Sequence, residues 1–301
     1  LYDRQAGDLA RSALALRCLP EDYGRRNPRQ PIIEGEAMTY AGGRMIADKE
    51  GAIGWMIFNQ PEKRNAISFD MWEAIPQILD DFVRDEAIRV IVLTGAGEQA
   101  FISGADISQF GEKRSSRETT LLYNATADNA SEALATVAKP TIAMIRGYCI
   151  GGGVGVAASC DLRIAADDAR FAVPAAKLGL GYRYAGVKRL VDLVGPSFAK
   201  EIFFTGRQFT TAEALAMGLA NRGVPAAELE AVVRDMAAGI AGNAPLTLAS
   251  IKLSVGEAMK PETERDLDKA QAAVDACFAS QDYIEGRTAF MEKRKPVFKG
   301  R

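Results

Sequence analysis

The chain predicts an α/β fold in which strands and helices alternate and then give way to a run of helices. Short apolar runs recur at Ile53–Phe58, 90–93, Thr141–Ile145 and 161–165, bounded by turn residues, and their β-branched content favours strands. Stretches with helical periodicity lie between them, and from Glu228 onward the strand pattern stops. Of the 301 residues, 48% are hydrophobic and 25% charged, which supplies a core and excludes global disorder.

Each element follows from local chemistry. Residues 10–19 are briefly amphipathic, with Arg11 and Arg17, and read as a surface helix or an upstream extension. Residues 21–43 are rich in charge, proline and glycine and read as an arm. The expected organisation is an extension over 1–43, a core over 44–240 and a helical region over 241–301. Ser68 is placed to cap a helix through Phe82, on which Met71, Ile75, Ile78, Leu79 and Phe82 share a broad face, although Pro76 argues against its regularity. A helical stretch runs toward Val137 after the loop 101–106. The glycines of 151–155 introduce a helix containing Ala157 and Ala158, and another covers 185–193. Thr210 or Thr211 caps a helix with Glu213 in its first turn, closed by Gly218.

Composition removes whole classes of chemistry. The formal charge of -2, from 37 basic and 39 acidic side chains, gives no support for nucleic-acid binding, so any anion site must be local. There is no histidine, which excludes an imidazole base and a histidine-containing triad and takes away the commonest ligand of catalytic zinc. The expectation is no metal. Cys18, Cys149, Cys160 and Cys277 form no CxxC pair and are too sparse for a disulfide scaffold, favouring a reduced, cytoplasmic setting. No apolar run has the length of a membrane-spanning helix.

Two glycine-containing loops stand out. The segment Phe101-Ile102-Ser103-Gly104-Ala105-Asp106-Ile107 reads either as a strand-to-helix connection capped by Asp106 or as an amide-lined anion site. The segment 147–155, Gly-Tyr-Cys-Ile-Gly-Gly-Gly-Val-Gly, reads either as close helix packing or as consecutive amides at a positive helix end. It has neither P-loop spacing nor a dinucleotide fingerprint.

These loops occur in order with Asn65-Ala66, Lys139-Pro140, Cys160-Asp161, Phe171, Pro174, Gly179 and Lys188-Arg189-Leu190. From about Arg44 to Arg301 the chain thereby resembles the crotonase, or enoyl-coenzyme A hydratase/isomerase, superfamily. The resemblance implies a spiral of repeated ββα units with a C-terminal helical trimerisation region, giving a trimer or a dimer of trimers. It implies an acyl-coenzyme A (acyl-CoA) thioester as ligand, coenzyme A being part of the substrate and no separate cofactor being needed. The oxyanion-hole amides fall on Ala105 and Gly152, which would hold the thioester oxygen as an enolate forms.

The same resemblance exposes two departures. Family hydratases carry glutamates at the positions of Gly155 and Ala175, and neither residue here can transfer a proton. A dienoyl isomerase aspartate falls on Arg183, which can instead recognise an acyl carboxylate or brace the loop. Asp128, Glu132, Tyr182 and Tyr184 are the candidate polar groups, with ordinary surface charge and loop shaping as the competing readings; Cys149 is a weaker, nucleophile candidate. Lys63, Arg64, Ala66, Ala105, Ile107, Phe290 and Lys293 are the expected coenzyme A contacts. The activity expected is that of a hydratase/isomerase-like lyase or isomerase, standard hydration being doubtful. The alternative is a noncatalytic acyl-CoA-binding or assembly protein.

Overall fold

The computed structural model describes residues 37–109, 111 and 115–301. The amphipathic stretch 10–19 and most of the arm lie outside the described residues. Seven strands form one sheet in the order β1 (Met38–Tyr40), β2 (Met45–Glu50), β3 (Ile53–Phe58), β4 (Val90–Gly95), β6 (Thr141–Ile145), β8 (Leu162–Ala166), β11 (Arg222–Val224). Four shorter strands form a second, in the order β10 (Phe209–Thr210), β9 (Arg170–Ala172), β7 (Tyr148–Ile150), β5 (Ala100–Ile102). Pairing is antiparallel from β1 to β3 and between β9 and β10, and parallel elsewhere.

Successive strands alternate between the sheets. β4, β6 and β8 enter the large sheet, β5, β7 and β9 the small one, and a helix follows each pair, which is the expected ββα spiral. The helices that matter to the site are α1 (Phe69–Arg84), α2 (Arg117–Thr136), α3 (Gly152–Ser159) and α4 (Tyr184–Thr205). Then come α5 (Thr211–Ala216), α6 (Leu229–Ala241), α7 (Pro245–Ala258), α8 (Leu267–Ala279) and α9 (Gln281–Glu292).

The central strands β3, β4 and β6 are buried on both faces, which explains why they read as unbroken apolar runs. Met56, Phe58, Ile91, Leu93, Ala143 and Ile145 point into the core shared with α1 and α3. Their alternates Trp55, Ile57, Val90, Val92, Ile142 and Met144 pack with Leu229, Val233 and Ala237 of α6. α1 continues through Pro76 because Met71, Ile75, Ile78 and Phe82 are buried along it. α4 is broken at Gly195, whose φ of 74° only glycine adopts readily, with Pro196 following; the expected helix over 185–193 is its first half.

One expected boundary needs correction, and one strand went unread. β1 lies inside the stretch assigned to the arm, yet it pairs with β2 from Met38 to Tyr40, so the sheet begins before Arg44. β2 itself escapes the apolar-run criterion because Asp48, Lys49 and Glu50 occupy its second half. Asp48 is fully buried, and both carboxylate oxygens lack a hydrogen-bond partner among the described residues. Burial raises its pKa above the ordinary carboxylate value, opposed only in part by the adjacent Lys49 amide.

Candidate active site

The site is built on the turn that follows β3. Asn65, fully buried, takes a left-handed backbone conformation (φ 56°) that asparagine tolerates. Its Oδ1 accepts from the Gln60 amide at 3.0 Å, and its Nδ2 donates to the Ala96 and Ala100 carbonyls at 3.0 and 2.8 Å. The turn is thereby fastened to the strands beside it.

From there it clamps the loop 103–106. The Ser103 amide donates to the Arg64 carbonyl, the Ile67 amide to the Gly104 carbonyl at 2.7 Å, and the Asp106 amide to the Ile67 carbonyl at 2.8 Å. This is a parallel bridge between Ile67 and Ala105, in which the bonds come from the neighbours of Ala105. The amide of Ala105 therefore points away from Ile67. Lys63 donates to Asp106 at 2.8 Å, and this bond with those from Ser108 outweighs burial and holds the Asp106 carboxyl below its ordinary pKa.

The second loop meets the first on that free side. Gly151 has φ 54°, and a Cβ on it would stand 3.9 Å from Gly104 Cα. A Cβ on Gly152 would lie 3.8 Å from the Ala105 nitrogen and 3.4 Å from Trp72 Cζ2. Gly152 is the first residue of α3, so its amide is one of the helix's unpaired N-terminal donors, at the positive end of the helix. Gly153 makes the approach possible, since a Cβ there would sit 2.3 Å from the Ile102 carbonyl oxygen. Close packing thus accounts for Gly153, and the amide-site reading falls on the adjacent Gly152.

Both loops open into one cavity of about 530 Å³, a size typical of small-molecule sites. Its far wall is a stripe of α2 in which Thr120, Tyr123, Asn124, Ala127, Asp128 and Ser131 recur at helical spacing. Trp72 donates to the Tyr123 hydroxyl at 3.1 Å and ties that wall to α1. Gly155, Ala175, Leu178, Leu180, Tyr182, Arg183, Arg189 and Phe203 complete the lining. A Cβ on Gly155 would meet nothing within 4 Å, so the wall there is open.

The candidates from the sequence separate sharply. Ala105, Gly152, Ile107, Asp128, Tyr182 and Arg183 line the cavity, as do the two departures Gly155 and Ala175. Glu132, 66% exposed and bonded to Arg189 at 3.4 Å, stands outside the lining; so does Tyr184, 79% exposed. Lys63, Arg64 and Ala66 lie on the turn beside the loop rather than in the cavity, and Arg64 stacks over the Tyr148 ring at 5.4 Å. Phe290 lines a separate apolar cavity of about 900 Å³ among α7, α8 and α9, while Lys293 caps α9. Cys149 is fully buried in β7 and burial pushes its thiol far above the ordinary value; Cys160 is pushed up to about 12. Neither is a nucleophile.

Asp128 is the only carboxylate lining the cavity among the described residues, and it pairs with Arg183 at 2.8 Å. Tyr182 packs its ring on Phe203 with centroids 4.7 Å apart, and Gly186 leaves room for it, since a Cβ there would be 2.8 Å from the ring. Tyr182 is 38% exposed as a residue, yet desolvation raises its phenol against a smaller lowering by the Arg183 charge, so the hydroxyl stays a donor. Trp72, Tyr123 and Arg189 have no assigned role in the sequence reading. The signal for the wall was the spacing of polar residues along α2, which a search for catalytic residue types passes over. No group of residues suited to a metal ion is found among the described residues.

The family model described as enoyl-CoA hydratase/isomerase matches residues 48–301. The chain is 34% identical over 253 residues to a short-chain-enoyl-CoA hydratase of Clostridium acetobutylicum, covering 83% of this chain and 95% of that protein. It is 34% identical over 255 residues to a carnitinyl-CoA dehydratase of Proteus mirabilis, covering 83% and 96%. Among solved structures, an enoyl-CoA hydratase/carnithine racemase from Magnetospirillum magneticum superposes with a TM-score of 0.81 at 33% identity, covering 87% of this chain and 97% of that one. A match across nearly the whole described chain, on the same fold, places this protein in the enoyl-CoA hydratase/isomerase family, the crotonase superfamily.

Proposed function

We propose that the protein is an enzyme acting on an acyl-CoA thioester, whose carbonyl oxygen sits between the amides of Ala105 and Gly152. The observation that carries this reading is the convergence of those two loops on one cavity, with Gly152 a few ångströms from the Ala105 nitrogen. Fixed donors aimed at an oxygen that gains charge stabilise an enolate without rearranging. The names of the relatives, which are hydratases and a dehydratase of CoA thioesters, support the substrate class.

Standard hydration is not the reaction proposed. Gly155 and Ala175 line the cavity where a hydratase would present glutamates, and neither carries a heteroatom. Asp128 and Tyr182 are the side chains best placed to move protons, in a lyase or isomerase reaction through the enolate. The turn bearing Lys63, Arg64 and Ala66, with Ile107 beside it, is the proposed coenzyme A contact. Phe290 and Lys293 would join it only from another copy of the chain.

The test is mass spectrometry of an acyl-CoA panel incubated with the protein in heavy water. Deuterium at the acyl α-carbon, reduced at least about 100-fold in Asp128→Asn or Tyr182→Phe, is expected. A second reading, a noncatalytic acyl-CoA-binding protein, draws on the same two missing glutamates. Thioester binding with neither exchange nor turnover would establish it instead.

A further inference from the structure

The cavity has a charged end that enolate stabilisation does not use. Arg183 and Arg189 both line it, against the carboxylate of Asp128 alone among the described residues. Arg189 is directed to Glu132 at 3.4 Å, a group 66% exposed and therefore well screened by solvent. Arg183 pairs with Asp128 through Nη2, while its Nη1 is out of contact with solvent and has no hydrogen-bond partner among the described residues. A guanidinium is a two-pronged donor whose geometry matches a carboxylate, and here only one prong is engaged.

This charged end and the two amides belong to one cavity. Trp72 stands 3.4 Å from where a Cβ on Gly152 would lie and donates to the Tyr123 hydroxyl, which ties α2 to the amide end of the cavity. Asp128, which holds Arg183, is five residues further along the same helix and on the same wall. Leu178, Leu180 and Phe203 add apolar lining beside the polar stripe of α2.

We propose that the cavity selects thioesters whose acyl group ends in a carboxylate, and that Arg183 is the residue that reads it. A short turn of the guanidinium brings both prongs to the incoming carboxylate, and Asp128 acts as a positioning residue that holds the arginine at the cavity wall. The inference rests on the thioester reading and adds the substrate class to it.

Calorimetric titration of the full chain with three matched pairs decides it: malonyl- against propionyl-CoA, succinyl- against butyryl-CoA, and glutaryl- against valeryl-CoA. Within each pair only the terminal group differs, carboxylate against methyl. In at least one pair the carboxylate member is expected to bind about 10- to 100-fold tighter, the range of a charge-assisted hydrogen bond. Arg183→Gln should abolish that preference, the affinity ratio within each pair falling toward one, and Arg183→Lys should restore part of it by charge without the fork. The preference should also shrink as salt is raised. Equal or reversed affinities in all three pairs, or a preference that survives Arg183→Gln, would overturn the inference and leave the thioester reading standing. Failure of every thioester to bind would overturn both.

Discussion

Two glycines two residues apart in α3 do opposite things. Gly153 faces the Ile102 carbonyl so closely that a methyl group would overlap it, whereas Gly155 faces open cavity. Gly153→Ala must therefore push α3 away from β5 and separate Gly152 from Ala105, costing about 1–3 kcal/mol as overpacking. Gly155→Ala should cost nothing and gain up to about 1 kcal/mol from helix propensity. Urea unfolding of both variants, with acyl-CoA binding measured alongside, checks this; equal effects would mean that the loop contact is not what the glycine is for. Asn65 shows the same economy of position: one buried side chain, in a backbone conformation few residues accept, fastens the turn from which the loop 103–106 is hung.

At the scale of elements, β2 carries the clearest internal conflict. β2 is buried on both faces from Met45 to Asp48, so the charge on Asp48 has nowhere to go. Because its folded-state pKa is raised, the folded protein holds this proton more tightly than the unfolded chain does. The linkage is then fixed in sign: stability is greatest below the unfolded carboxylate pKa, about 4, and falls as pH rises through the raised folded-state value. Asp48→Val removes the orphaned acceptors and suits a strand; it is expected to stabilise the protein by about 1–3 kcal/mol at pH 7 and by less at pH 4. Denaturant titrations at the two pH values test it, and a variant no more stable than wild type at pH 7 would show that the carboxylate is satisfied in solution. α5 is the contrasting case, an element closed by its own sequence. Thr210 accepts from the Glu213 amide at 3.2 Å while the Glu213 carboxylate accepts from the Thr210 amide at 2.8 Å, the capping box that the spacing predicts. This bond with the Arg207 contact brings Glu213 down to about 2.

On the scale of the whole molecule, the last three helices leave apolar side chains exposed in number: Ile251, Val255, Phe278, Ile284, Phe290 and Met291 are all more than half exposed. A surface of that kind marks an interface. We propose that copies of the chain associate through it as a trimer or a dimer of trimers, and light scattering should return three or six chain masses. A single chain mass at micromolar concentration would rule the association out. No described helix is long and apolar enough to cross a membrane.

The sequence by itself determined the alternation of strand and helix, the helix starts at Ser68 and at Thr210 or Thr211, the first half of α4, and the two glycine loops with their family. All of these depend on neighbours along the chain, whose period and turn chemistry can be read in order. It missed β1 and the charged strand β2, and the very short β5, β7 and β10, because two or three residues are too few for a period to show. Only the tertiary structure decided that the two loops meet, and that Asp128, Tyr182 and Arg183 enter the cavity while Glu132 and Tyr184 face outward. Membership of that cavity is set by how α2 and α4 pack across it, and residues far apart in the chain acquire a common chemistry only when packing brings their faces together.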